Sequence, residues 1–150
     1  TPANLDLTKA STPWDDGTNP VFNTPLNDVT YTLGVTNTAA GQTTANSVVL
    51  IDPLPANVTF FNGDANGAAA GTDPVIFTDS GSSLTWTPGS DVAYATGATP
   101  PANFAACTYT PAAGYDANVR FICVNPKGAM AAKLGASTPG FIISLRARIN

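Results

Sequence analysis

Asp28-Val-Thr-Tyr-Thr-Leu-Gly-Val-Thr-Asn37 decides the fold of this chain. Val29, Tyr31, Leu33 and Val35 alternate with Thr30, Thr32 and Thr36, the period of two that sends successive side chains to opposite faces of a half-buried strand. Threonine suits the outer face of such a strand, because its branched side chain fits the pleat while its hydroxyl stays solvated. A second run, Ser47-Val-Val-Leu-Ile-Asp-Pro-Leu-Pro-Ala-Asn-Val-Thr-Phe60, carries the chain into another strand and interrupts it at Pro53 and Pro55.

Outward from these runs the same pattern repeats. Thirteen Pro and thirteen Gly divide the chain into short segments, and none shows the i, i+3, i+4, i+7 spacing of an amphipathic helix. Alternation and β-branched or aromatic content predict strands over residues 4–9, 28–37, 47–51, 58–61, 75–78, 84–87, 108–110, 118–125 and 141–149. In the last of these Phe141, Ile143, Leu145, Ala147 and Ile149 alternate with Ile142, Ser144, Arg146 and Arg148, giving an apolar face and a basic one. Residues 128–135 allow one helical turn or a small loop, bounded by glycines. Residues 63–74 and 97–106, built of Ala, Gly, Pro and Thr, predict long surface loops. Short strands at this spacing predict an all-β protein, an antiparallel β-sandwich formed as a single domain over residues 1–150.

Composition narrows the chemistry. Charged residues are 11% of the chain, against roughly 25% in an average soluble protein. There is no His and no Glu, so all ten carboxylates are Asp and the usual proton-transfer side chain near pH 7 is absent. A serine nucleophile has no histidine base, no local signature pairs two carboxylates, and no glycine-rich loop leads from a strand into a helix. No enzyme is expected, and no cofactor. A net charge of −4 with only six Lys and Arg argues against nucleic acid as a partner. No apolar run approaches the ~20 residues that span a bilayer, so no membrane insertion is expected. The chain begins with Thr rather than Met, consistent with export after removal of a signal peptide.

Cys107 and Cys123 lie in segments that both read as strands or strand edges. A disulfide between them would close a short loop, worth ~3 kcal/mol by the chain-entropy estimate. Reduced, buried thiols are the alternative; a metal site is not expected, since a closed one needs four ligands.

Leu7-Thr-Lys-Ala-Ser, then Val29-Thr-Tyr-Thr-Leu-Gly-Val-Thr-Asn-Thr, then Val48-Val-Leu-Ile-Asp-Pro-Leu-Pro-Ala-Asn-Val-Thr-Phe, in that order, resemble the bacterial cell-surface repeat family known as domain of unknown function 11. The resemblance covers roughly residues 5–61; the remainder, including Gly114-Tyr-Asp-Ala-Asn-Val-Arg and the final Leu-Arg-Ala-Arg-Ile, is similar to a longer variant in Gram-negative surface proteins. It implies an immunoglobulin-like sandwich in an exported structural module without catalytic activity. Family members often repeat in tandem, whereas one copy is present here, so a structural role implies association with other molecules.

The expected association is a homopolymer, a filament or layer on the bacterial cell surface. The expected mechanism is strand addition, in which an extended segment of one copy completes the sheet edge of the next. Residues 1–12 are the candidate donor, with Leu5, Leu7 and Lys9 as subunit contacts and residues 13–27 as the linker; the other reading makes residues 1–12 the first strand of a self-contained sandwich. A lysine–asparagine isopeptide bond between Lys9 and Asn37, with Asp6, Asp28 or Asp52 as proton shuttle, is a further candidate. Asp15-Asp16-Gly-Thr-Asn and Asn62-Gly-Asp-Ala-Asn-Gly offer oxygen ligands for calcium, but neither has the spacing of a calcium loop, and Asn or Asp beside Gly reads as a turn. Trp14, Trp86, Tyr94, Tyr109 and Tyr115 are candidates for a sugar-stacking platform, the other reading being that, as is usual in a sandwich of this size, they fill the core or brace loops. The platform underlies the alternative function, an adhesin or binding module presenting its loops to a surface carbohydrate or protein ligand.

Overall fold

The computed structural model describes residues 1–15, 22–67 and 73–150. Among them lie nine strands: β1 (Leu5–Pro13), β2 (Asp28–Asn37), β3 (Leu50–Pro53), β4 (Val58–Asn62), β5 (Val75–Ser80), β6 (Val92–Ala95), β7 (Gly114–Asp116), β8 (Phe121–Val124) and β9 (Gly140–Ile149). The two long alternating runs of the sequence, β2 and β9, pair with each other from Asp28↔Arg148 to Thr36↔Gly140 and form the centre of the larger sheet. β1 flanks β2 on the outside. The far edge of β9 is shared, β5 pairing along its first half and β4 along its last three residues, and β4 in turn carries β7. The smaller sheet has the order β3-β8-β6. Every strand pair is antiparallel, and the two sheets form the sandwich that the alternation predicts.

The core lies where the inward faces meet. Val29, Leu33 and Val35 of β2 and Phe141, Ile143, Leu145 and Ala147 of β9 pack with Phe60 of β4 against Ile122 and Val124 of β8. Each large side chain buried in this way contributes ~1.5–3 kcal/mol relative to exposure. β8 is buried on both faces, because a second cluster of Ala95, Cys107, Phe121 and Cys123, joined by Ile51, Ala93 and Phe104, covers the outside of the smaller sheet. The Cys107–Cys123 disulfide ties the covering loop to β8. The pairing expected from the sequence is therefore present, although Cys107 ends a 3-10 turn rather than a strand.

Other departures from the expected elements have local causes. Residues 84–87 form no strand: Thr85 makes one bridge to Lys127, while Leu84 enters the core and Trp86 stacks on Phe77. Residues 108–110 contribute only the bridge Tyr109 to Tyr94. β3 starts at Leu50 because Val48 is turned into the core, its carbonyl held by the Asn125 side chain. β6 and β7 are too short for their alternation to register. Residues 128–135 form no helical turn; their main chain is used elsewhere, Lys133 N donating to Ala39 O. The helical turn that does form, Phe104–Ala106, sits in the predicted loop 97–106 with Asn103 as its cap.

Candidate functional site at the open edge

The strand register fixes what β1 presents. Leu5, Leu7, Lys9, Ser11 and Pro13 stand opposite Asn37, Val35, Leu33, Tyr31 and Val29, and cross-strand partners point to the same face. They therefore share the core-facing side of β2. The smaller sheet ends at β3, however, and has no strand opposite β1. Leu5 and Leu7 face the interior side of the sandwich yet stay 41% and 55% exposed. The outward residues Asp6, Thr8, Ala10 and Thr12 are exposed as well, so of the whole strand only Pro13 is partly covered. β1 is attached mainly by main-chain hydrogen bonds to β2, and among the described residues its outer edge carries no strand.

Lys9 is the one side chain of β1 that crosses to the other sheet. Its Nζ donates to both carboxylate oxygens of Asp52 on β3, at 2.7 and 2.9 Å, and to the Pro53 carbonyl at 3.1 Å. It also lies 5.2 Å from the centre of the Tyr31 ring. Asp52 is only 5% exposed. Burial pushes its carboxyl above the usual range, against the pull of the Lys9 ammonium; burial likewise raises the Tyr31 hydroxyl, helped by the Asp52 charge. The β3 edge beside this pair is short and ends in Pro53, which lacks an N–H to offer another strand.

Asn37 lies at the other end of the β1–β2 ladder and is fully buried. Its Nδ2 donates to the carbonyls of Gly41 at 2.7 Å and Ala131 at 2.8 Å, and its Oδ1 accepts from the N–H groups of Asn4 and Ala39. This side chain joins three chain segments and anchors the start of β1. The isopeptide candidate is corrected here: Lys9 stands opposite Leu33, and Asn37 opposite Leu5. Four residues of strand, about 13 Å, separate the two positions. Asn37 is held by main-chain groups and Lys9 by Asp52, so the pair is not placed to react.

A cluster that the sequence did not reveal covers the outer face of the larger sheet near the end of β9. The Arg146 guanidinium lies 3.6 Å from the Trp14 ring centre and 4.3 Å from that of Phe61, and Arg148 lies 3.3 Å from the centre of Tyr115. Asp28 is the common acceptor: it takes the Tyr115 hydroxyl at 2.7 Å and Arg146 Nε. The signal was the basic face of the last strand, but the aromatic partners come from three other stretches of the chain and the shared carboxylate from a fourth.

The remaining candidates are structural. Trp14 and Tyr115 belong to the arginine cluster, Trp86 stacks on Phe77, Tyr94 packs against Phe60 in the core, and the Tyr109 hydroxyl donates to Asp116. The five rings therefore share no face for a sugar. Asp64 accepts from Asn66 N, a turn contact, and Asn62 donates to the Pro111 and Ala112 carbonyls. Asp16 to Asn19, the rest of the other calcium candidate, lie outside the described residues. Among the described residues no three His, Cys, Asp or Glu side chains gather in a metal-holding group, and no helix is long and apolar enough to cross a membrane. Asp79, Asp91 and Asp116 each organise a turn. Ser82 hydrogen-bonds to Asp79 and holds that carboxyl below its usual range. Burial pushes the Asp116 carboxyl up, but the N–H groups of Ala112 and Asn118 and the Tyr109 hydroxyl outweigh it, leaving a net downward shift.

The fold and the site define a disulfide-bonded β-sandwich with an exposed edge strand along its larger sheet. No protein-family model, no curated protein and no solved structure matches the chain.

Proposed function

We propose that the chain is an extracellular structural subunit of the bacterial cell surface, akin to the repeat family that its first sixty or so residues resemble, and that it assembles into a filament or layer by exchanging β1 between copies. The observation that carries the reading is the state of β1. Nine residues long and exposed on both faces, it adds almost nothing to the core, so its departure leaves the apolar packing in place. Residues 14–27 join it to β2, fourteen residues where an antiparallel neighbour needs two to five. Fully extended, such a connection reaches about 46 Å, more than the ~34 Å length of a ten-residue strand, so β1 can dock on the β2 edge of an adjacent copy.

The disulfide suits an oxidising compartment. The sparse charge permits close packing of copies without strong repulsion. Removal of residues 1–12 tests the reading: purified wild-type protein is expected to give fibres or sheets by negative-stain microscopy and the truncated chain only monomers with retained circular dichroism. Normal assemblies from the truncated chain would remove the proposal.

A further inference from the structure

Most of what β1 offers the β2 edge is repetitive. Its outward residues Asp6, Thr8, Ala10 and Thr12 run against Thr36, Gly34, Thr32 and Thr30, a ladder with little distinctive shape, and its inward Leu5 and Leu7 remain half open. A slip of two residues keeps every side chain on its face and restores the main-chain bonds, so a ladder of this kind specifies register weakly. Within β1 Lys9 is the exception; just before it Asn4 donates to Asn37 Oδ1 and Thr38 Oγ1, but Asn37 Oδ1 also holds the Ala39 N–H and the Thr38 bond is exposed, so those contacts cost less to lose. Slipped by two, the strand brings Leu7 or Ser11 to the position opposite Leu33 and withdraws the ammonium from Asp52.

Asp52 then lies buried with no other hydrogen-bond donor among the described residues. Breaking a buried pair by removing one partner is strongly unfavourable, while keeping it intact adds little net stability, and fixing register is the best-attested use of such groups. The cation must also come from a β1. Lys127 sits beside Asp91, Arg146 and Arg148 surround Asp28, and Arg120 donates to the Leu54 carbonyl. Lys133 lies next to the turn at Leu134 to Ser137, outside any strand. Lys9 alone among the six cations of the chain stands on an exposed edge strand.

We infer that the β2 edge and the Asp52 carboxylate together form a receptor for one occupant, the β1 segment of a copy of this chain, and that the Lys9–Asp52 charge match sets the single register in which it is accepted. The inference rests on the strand-exchange reading only for which copy supplies the strand. A foreign extended peptide without a correctly spaced cation leaves the buried carboxylate unpaired and is rejected.

Cysteine pairs on the outward face of the full-length chain test it. Ala10→Cys with Thr32→Cys reports the register seen here, and Thr8→Cys or Thr12→Cys with Thr32→Cys reports the slips by two. Under mild oxidation the first pair is expected to link at least tenfold more than the slipped pairs. K9M or D52N should bring the slipped pairs to within about twofold of the first, and the charge-reversed double variant K9D/D52K should restore the preference; circular dichroism verifies that each variant is folded. A tenfold preference retained in folded K9M and D52N overturns the inference. Links that join chains on a non-reducing gel support exchange, whereas links found only within monomers overturn exchange and leave the register role of the pair standing.

Discussion

Breaking the Cys107–Cys123 disulfide is expected to cost ~3–5 kcal/mol. The two cysteines are 16 residues apart in sequence, and a loop of that size loses ~3 kcal/mol of stabilisation when its closure is released into the unfolded ensemble. Replacing both with Ala also removes two sulfur atoms from a packed cluster. Cys123 is fully buried and Cys107 nearly so, among Ala95, Phe121, Ile51 and Phe104, which can add up to ~2 kcal/mol. For a domain of this size the change corresponds to a fall in melting temperature of about 6–20 °C. Urea unfolding of C107A/C123A beside the wild type, followed by the fluorescence of Trp14 and Trp86, measures it. The loss concerns the loop over the smaller sheet, so at low denaturant the variant should keep the strand register of β1. A stability loss below about 1 kcal/mol would refute the view that the covering loop is held in place by this closure.

Asn37→Ala should cost ~2–4 kcal/mol, since it strands the Gly41 and Ala131 carbonyls in a buried site and releases the Asn4 N–H at the start of β1; urea midpoints check the cost, and faster amide exchange in β1 than in β9 checks the location. Stability should fall in acid through Asp79 and Asp116. Their folded pKa values lie below the ordinary carboxyl value, so their contribution is complete above that value and is lost as pH falls through the folded one. Urea midpoints of D116N between pH 2 and pH 6 should therefore show a flatter acid limb than those of the wild type. Asp52 has the opposite sign: its raised pKa gives a contribution present in acid and lost as pH rises through it, so the stability of D52N relative to wild type should improve from pH 3 to pH 7. Parallel profiles would contradict these assignments. Arg146→Lys should weaken the outer-face cluster despite keeping the charge, because an ammonium cannot lie flat between the Trp14 and Phe61 rings while bonding Asp28; a red-shifted Trp14 emission is the expected sign.

Strand periodicity is a local property, and it was legible in the sequence. The alternation in 28–37 and 141–149 placed the two central strands within a residue of their ends, and their apolar faces form the core. Two cysteines in strand-like segments of a chain poor in charge pointed to the bridge that is present. Short elements were not legible, because three or four residues such as those of β6 and β7 hold too little of the period to stand out.

Strand order and the width of each layer decided the rest. Nothing near Lys9 in the sequence names Asp52, 43 residues away, as its partner, and nothing near Asn37 names Ala131. Leu5 and Leu7 read as ordinary inward residues of a first strand, and by pattern they are. They stay open because the smaller sheet stops one strand short of covering them. Alternation determines which way a side chain points. Whether anything lies opposite it depends on how many strands the facing sheet contains, a property of the assembled chain that no local window of residues carries.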